Sequence, residues 1–379
     1  MARGIHKDLH DKFVRAHEQG MCLTSSSRTE QRRLERAHKR GDICSPAPGV
    51  YALPALWNQL NRTEKERRVL KSLHVLHPTW VFADVSAAVL WGLNVPHSLM
   101  GDVHLATTTH SHSRSHDTRE RIIMSDEHIT TTNGIPVTNI ARTAFDCLRN
   151  YGFRPSLCIA DSALRLANMS RDDMIAIFES YHGNLVGKSQ AIEIARWANP
   201  LSESGGESIA RAAMLQLGFL LPDLQVAFRD PVDHDSWYRV DFFWSLPGGN
   251  VIGELDGRQK YTDPKMTGTR SAVDVLADER LRESHLSGTG ARIMRFSYKD
   301  VMNPQRFAHI LRSYGIPDGF DVPAVADPGD VINLDFKRIE PERESFKHGN
   351  MTVEVEVYDV RKAAREQKLL FDQAAGRAS

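Results

Sequence analysis

Two apolar segments, YRVDFFW at 238–244 and VIGELDG at 251–257, constrain this chain most, because each carries acid where a strand would bury it. Short runs of Val, Ile, Phe and Trp favour extended backbone, and SLPGGN between them is a turn signal. The two segments are therefore expected to pair as a hairpin, which brings Asp241 beside Glu254. Strand side chains alternate, so Glu254 and Asp256 share a face. A buried carboxylate needs a compensating cation, and three at one strand end repel one another. The pattern predicts a bound divalent cation on Asp241, Glu254 and Asp256. An all-oxygen donor set suits Mg2+ or Mn2+ rather than zinc. Lys260, just after the second strand, adds positive charge or positions a water.

The neighbouring segments extend the hairpin into a layer. NPLSESGG at 199–206 reads as a breaker-rich, flexible linker. A helix follows, with Ile209, Ala212, Ala213 and Leu217 on one side. LQVAFR reads as a strand ahead of the hairpin. After it, DERLRESHLSGTG gives a charged helix and a turn, and RIMRF a further strand. The order helix, three strands, helix, strand, helix predicts an α/β layer with a mixed sheet.

The spacing D-x(12)-E-x-D-G-x-x-K resembles the very-short-patch-repair branch of the PD-(D/E)XK nucleases, whose usual form ends in E-x-D-G-x-x-H. The resemblance covers residues 203–312 and implies a restriction-endonuclease-like α/β domain. It implies Asp241, Glu254 and Asp256 as acidic metal positions, and Glu207 as the helical acid. Lys260 stands where histidine is usual, a poorer base near neutrality and a good electrostatic stabiliser. Arg292 and Arg295, in RIMRF, correspond to phosphate contacts. The chemistry implied is metal-assisted hydrolysis: a metal-bound water attacks phosphorus while the metal stabilises the developing charge.

The front of the chain differs in charge. The whole chain is neutral, with 48 Lys and Arg against 48 Asp and Glu, whereas residues 1–72 hold 15 against 8. Much of the excess lies in RTEQRRLERAHKRGD, a helix by propensity that carries Arg28, Arg32, Arg33, Arg36, Lys39 and Arg40. Ser27 and Glu30 have capping-box spacing, and Gly41 is a plausible stop. Two short extended pieces follow around a Pro/Gly turn. Helix, basic helix, hairpin is the order of a winged helix-turn-helix, which would set this basic helix against duplex DNA. A solvated basic face on a helical cap has the same sequence.

Further on, VFADVSAAVLWGLNVP reads as a helix closed by Gly92, and DVHLATT and RIIMSDE as strands. Between the strands lies HSHSRSHDTRE, in which His110, His112 and His116 are read as residues of an exposed loop. GIPVTNIARTAFDCLR reads as turn, strand and helix, with another helix beginning at IADSALR. RGDICSPAPGVYAL, SAAVLWGL, GIPVTNIARTAFD and DSALR together are similar to AbiEi-type antitoxins over residues 5–170. That resemblance implies DNA binding by the head, autoregulation and a cognate toxin as partner. The chain departs from it in the wing, where Cys44–Pro48 stands in place of an Arg-rich turn.

The sequence thus predicts a multidomain α/β protein. Residues 1–55 form a winged-helix head, 56–200 a central α/β region and linker, 201–315 the nuclease-like domain and 316–379 an extension. In the extension, DVINLDF and MTVEVEVYDV alternate as strands do, and 360–379 reads as a helix. Cys22, Cys44, Cys147 and Cys158 form no CxxC pair, so reduced thiols and no structural zinc are expected. No stretch is apolar for membrane-spanning length and no signal peptide is legible, which predicts a cytoplasmic protein. The functional expectation is a Mg2+- or Mn2+-dependent DNA endonuclease targeted by its head. The alternative is a non-catalytic antitoxin-type regulator with a decayed nuclease domain.

Overall fold

A computed structural model describes residues 7–107, 118–122, 128–183, 185–256, 272–323, 325–326, 342–348 and 351–357. The chain forms two compact units, residues 1–327 and 328–379. Unit one is an α/β assembly built around three main apolar cores.

The first core belongs to the head. It is made of α1 (Lys7–Glu18), β1 (Leu23–Thr24), α2 (Arg28–Lys39), β2 (Cys44–Ala47) and β3 (Val50–Ala52). The strands form an antiparallel sheet in the order β1-β3-β2. Leu9 and Phe13 of α1 pack on Leu34 and Ala37 of α2, with Ile43, Tyr51 and Leu53 closing the core. The expected cap is present: Ser27 Oγ accepts from the Glu30 N–H at 3.2 Å. Glu30, however, returns to Ser26 and to Lys12 rather than to Ser27, so the reciprocal half of the capping box is displaced by one residue. Gly41, with φ +80°, ends the helix as expected.

The central region runs through α3 (Pro54–Trp57), α4 (Arg62–Leu76), α5 (Asp84–Trp91), β4 (Val103–Thr107), β5 (Thr118–Ile122), β6 (Ile129–Thr132), β7 (Ile135–Thr138), α6 (Ile140–Asn150), α7 (Phe153–Ala167), α8 (Arg171–Ser180) and α9 (Lys188–Arg196). Gly92 closes α5 in a left-handed conformation, φ +83°. The second strand of this region is described at Thr118–Ile122, which includes Arg121 and Ile122 of RIIMSDE, while residues 123–127 lie outside the described residues; IADSALR falls inside α7 rather than at its start. His110, His112 and His116 lie outside the described residues.

The third core lies under a four-stranded mixed sheet. It is built from α10 (Gly205–Gln216), β8 (Asp223–Arg229), β9 (Trp237–Trp244), β10 (Val251–Asp256), β11 (Arg292–Ser297), α12 (Tyr298–Val301) and α13 (Pro304–Ser313), whereas Leu286 of α11 (Ala272–Ser287) packs in a separate cluster with Val240, Ile252 and Ala291. The sheet order is β11-β10-β9-β8, with β8, β9 and β10 antiparallel and β11 parallel to β10. This is the expected order of elements.

The expected one-sided apolar stripe of α10 is instead two faces. Ile209, Ala210, Ala213 and Met214 pack under the sheet, while Ala212 and Leu215 belong to the central core. The segment read as a flexible linker is likewise packed. Ser202 is fully buried, Ser204 caps α10, and Arg165 donates to the Ser202 carbonyl. Residues 316–326, read as the start of the extension, also belong to unit one: the Leu220 N–H donates to the Pro317 carbonyl, and Ala326 is buried in the central core.

Unit two contains β12 (Glu342–His348) and β13 (Met351–Val357), an antiparallel pair. MTVEVEV is the expected strand. DVINLDF and residues 360–379 lie outside the described residues. Among the described residues, no helix is long and apolar enough to cross a membrane.

One buried ion pair fixes α10 against α7. Arg211 donates to Asp161 at 2.8 Å and to the Trp197 carbonyl at 2.8 Å, and both charged side chains are almost fully buried. Burial pushes the Asp161 carboxyl up, and the Arg211 guanidinium pulls against it. Arg211→Met strands that carboxylate, so a loss of about 3–5 kcal/mol is expected in urea unfolding. Combining it with Asp161→Leu should restore most of the loss. A double variant no more stable than the single one would contradict this account.

Candidate acidic site at the open end of the sheet

The β9–β10 ladder pairs Val251 with Trp244, Ile252 with Phe243 and Gly253 with Phe242, and stops there. Gly253 permits the last close pair: a Cβ at this position would lie 2.9 Å from the Trp244 ring and 3.0 Å from Phe242 Cβ. The next positions in register are Glu254 and Asp241. Instead of a ladder bond, the Leu255 N–H donates to Asp241 Oδ2 at 3.1 Å. β10 meanwhile stays paired with β11 as far as Asp256 and Ser297. The two strands thus part where the acids begin.

On the other side of β9, β8 is irregular at the same level. Gln225 lies between the pairs Leu224–Phe242 and Val226–Val240, with φ +55°. A left-handed backbone costs a non-glycine residue about 1–2 kcal/mol. The Gln225 amide donates to Glu207 Oε2 at 3.1 Å. That carboxylate also accepts from the Glu203 N–H at 2.8 Å, across the first turn of α10. Gly206 lets this turn approach β10, since a Cβ there would lie 2.7 Å from the Leu255 side chain. Burial pushes the Glu207 carboxyl up, bonds from Ser204 and Glu203 oppose this, and the charge of Asp241 adds to the rise.

Arginines meet the other two acids. Glu254 is only 5% exposed, and Arg282 Nη2 of α11 lies 2.9 Å from its Oε1. The same Nη2 is 2.9 Å from the Arg239 carbonyl on β9. Arg295 donates twice to Asp256, at 2.6 and 3.0 Å, and reaches Glu283 at 3.3 Å. Arg239 pairs with Glu203 at 2.6 Å. One turn beyond Arg282, His285 Nδ1 lies 2.9 Å from Asp230 Oδ2 and 3.1 Å from Tyr238 Oη, tying the end of α11 to the start of β9.

The fold therefore brings Glu207, Asp241 and Glu254 to one end of the sheet, with Asp256 at the tip of β10. It does not gather the three strand acids around one cation. Among the described residues, no three His, Cys, Asp or Glu side chains stand close enough to hold a metal ion. The donor chemistry suits a hard divalent ion, but in this conformation the arrangement does not fit one. The physical reason is that Arg282 and Arg295 supply the positive charge that the sequence pattern assigns to a metal. Lys260 lies outside the described residues. Arg295 stands beside Glu254 in the β10–β11 register, whereas Arg292 pairs with Val251, away from the acids, and donates to the Tyr314 carbonyl at 2.7 Å.

Gln225, Arg239 and Arg282 were not legible as site residues. Gln225 had a signal, as a lone amide in the apolar run LQVAF. Arg282 had none, because DERLRES reads as a solvated face until the helix is set over the sheet.

In the head, Arg28, Arg32, Arg36, Lys39 and Arg40 are exposed along α2, and Arg33 is half-buried. Arg33 lies 3.6 Å from Asp8, and Arg40 pairs with Asp42 at 2.8 Å. Leu34 and Ala37 turn the opposite face inward. No protein-family model and no curated protein sequence matches this chain.

A carboxyl held above its ordinary range favours the folded state fully below the unfolded-state value, and that contribution is lost as pH rises through the folded-state value. Glu207→Gln removes the titration. In urea unfolding, the variant should gain stability relative to the parent as pH is raised from the acidic side of the glutamate range towards neutrality. A difference that does not change with pH would contradict the assignment.

Proposed function

We propose that the chain is a DNA-binding protein whose residues 201–315 form a PD-(D/E)XK-type endonuclease domain, delivered to duplex by a winged-helix head. The observation that carries the reading is the opening between β9 and β10 just past the Gly253–Phe242 pair, where Asp241 accepts from the Leu255 N–H and its charge acts on Glu207. A mixed sheet of three antiparallel strands, a helix and a parallel strand, with α10 beneath it, is the expected frame for such a site. Arg239, Arg282 and Arg295 along the same end offer guanidinium groups suited to phosphate oxygens. Hydrolysis on this reading requires Mg2+ or Mn2+, and Lys260 remains the proposed electrostatic helper.

Metal should raise the melting temperature by linkage as its concentration passes the dissociation constant. Asp241→Asn should abolish that response and plasmid nicking while keeping the fold, because the amide oxygen can still accept from the Leu255 N–H. Lys260→Ala should lower turnover and leave metal binding intact. A parent protein indifferent to millimolar Mg2+ and Mn2+ in both assays would sink the endonuclease reading.

The exposed row on α2 supports the DNA-binding half. Arg32→Ala, Arg33→Ala and Arg36→Ala together should weaken duplex binding and reduce the slope of log K against log salt by roughly 2 to 3. Arg33→Ala alone should matter least, since Arg33 is half-buried and near Asp8. Unchanged affinity at low and moderate salt would remove the head from the interface.

A second reading is a non-catalytic, antitoxin-type regulator with a cognate toxin as partner. Its specific support is that Glu254 and Asp256 already have arginine partners. Salt-sensitive duplex binding with neither metal response nor nicking is its expected signature.

A further inference from the structure

A small crevice lies where the head meets α3 and α4. Its apolar wall is made of Phe13, Tyr51, Leu53, Leu56 and Trp57. It encloses about 250 Å3, part of it open to solvent. Into this wall α4 sets one charge, Arg68, whose side chain is only 12% exposed. Arg68 Nη1 donates to the His17 carbonyl at 2.7 Å, which fixes the guanidinium in place. Its Nε is buried and, among the described residues, meets no hydrogen-bond acceptor. Glu64 Oε2 lies 3.9 Å from Nε, past hydrogen-bonding distance, and the other oxygen of Glu64 pairs with Arg67. His17 lines the same crevice. Burial lowers the pKa of its imidazole, and the charge of Arg68 adds to the fall.

A buried donor on a charged group is costly to leave without an acceptor. A water molecule would answer the donor and leave the charge uncompensated. A carboxylate answers both through a charge-assisted hydrogen bond. The aromatic and leucine surfaces beside Arg68 favour an apolar group on the same molecule. We propose that this crevice binds a small carboxylate with a short apolar body, its anionic oxygen accepting from Arg68 Nε. The site is separate from the acidic end of the sheet and does not depend on the endonuclease reading.

The test is a titration of the full chain carrying isotope-labelled tryptophan, followed by nuclear magnetic resonance at constant ionic strength. The probe is isobutyrate, and the readout is the indole N–H signal of Trp57, assigned with Trp57→Phe. Isobutyrate should shift that signal with saturation. Isobutyramide, its uncharged isostere, should bind at least about tenfold more weakly, as for the loss of a hydrogen bond between charged groups. Acetate, which lacks the apolar body, should also bind about tenfold more weakly. Arg68→Met should abolish the preference for acid over amide. If that variant fails to fold for want of a donor to the His17 carbonyl, Arg68→Lys keeps the charge without Nε and should narrow the preference. The comparison of acid with amide in the parent protein needs no variant. Absence of any shift with isobutyrate, the result expected of a crevice that holds only water, would overturn the proposal. So would equal affinity of the parent for isobutyrate and isobutyramide.

Discussion

Helix α10 is the member on which the rest of unit one depends. One face lies under the mixed sheet and the other in the central core, so the helix is buried almost all round. A helix in that position needs small residues, and ARAAM supplies them. It also carries a charge, Arg211, at a point where water cannot reach, and Asp161 on α7 answers it. Such a pair adds little net stability over an apolar contact of the same shape, but breaking it is costly. Its consequence is geometric. It helps set the N-terminal turn of α10, with Glu207, at the end of the sheet where β9 and β10 part.

That opening follows from local rules as well. Gly253 allows the last tight cross-strand pair, and beyond it Asp241 accepts the N–H that a continued ladder would have used elsewhere. Gln225 leaves the regular β conformation at the same level and spends its amide on Glu207. Two departures from regular sheet geometry converge on one end of the sheet, and each brings a polar side chain, Asp241 or Gln225, into a hydrogen bond there. Backbone strain and buried charge concentrated at one place are common at functional sites. Here Arg282 and Arg295 offset Glu254 and Asp256, while Glu207 and Asp241 accept from neutral N–H groups.

The head is organised differently. Its core is separate and small, and the charges of α2 lie on the face that this core does not use. Much of this was legible in the sequence. Ser27, Gly41 and the Pro48–Gly49 turn mark the ends of elements through their own backbone and hydrogen-bonding preferences, and these act over a few residues. The reciprocal bond of Glu30 was not legible, because Lys12 of another helix competes for the same carboxylate.

The sequence by itself determined the strands that carry Asp241, Glu254 and Asp256, the turn between them, the order of elements around the sheet and the basic row on α2. Apolar periodicity, glycine and capping residues act locally and can be read from a window of residues. Tertiary structure alone decided that the 199–206 segment is packed, that α10 has two buried faces, and that Arg211 answers Asp161. It also decided that arginines from α11 and β11 meet the strand acids. The physical reason is the range of the interactions. A charge buried in a strand must be compensated, and the sequence states that requirement. Which cation satisfies it depends on groups distant along the chain that only the packing of helix over sheet brings within hydrogen-bonding distance.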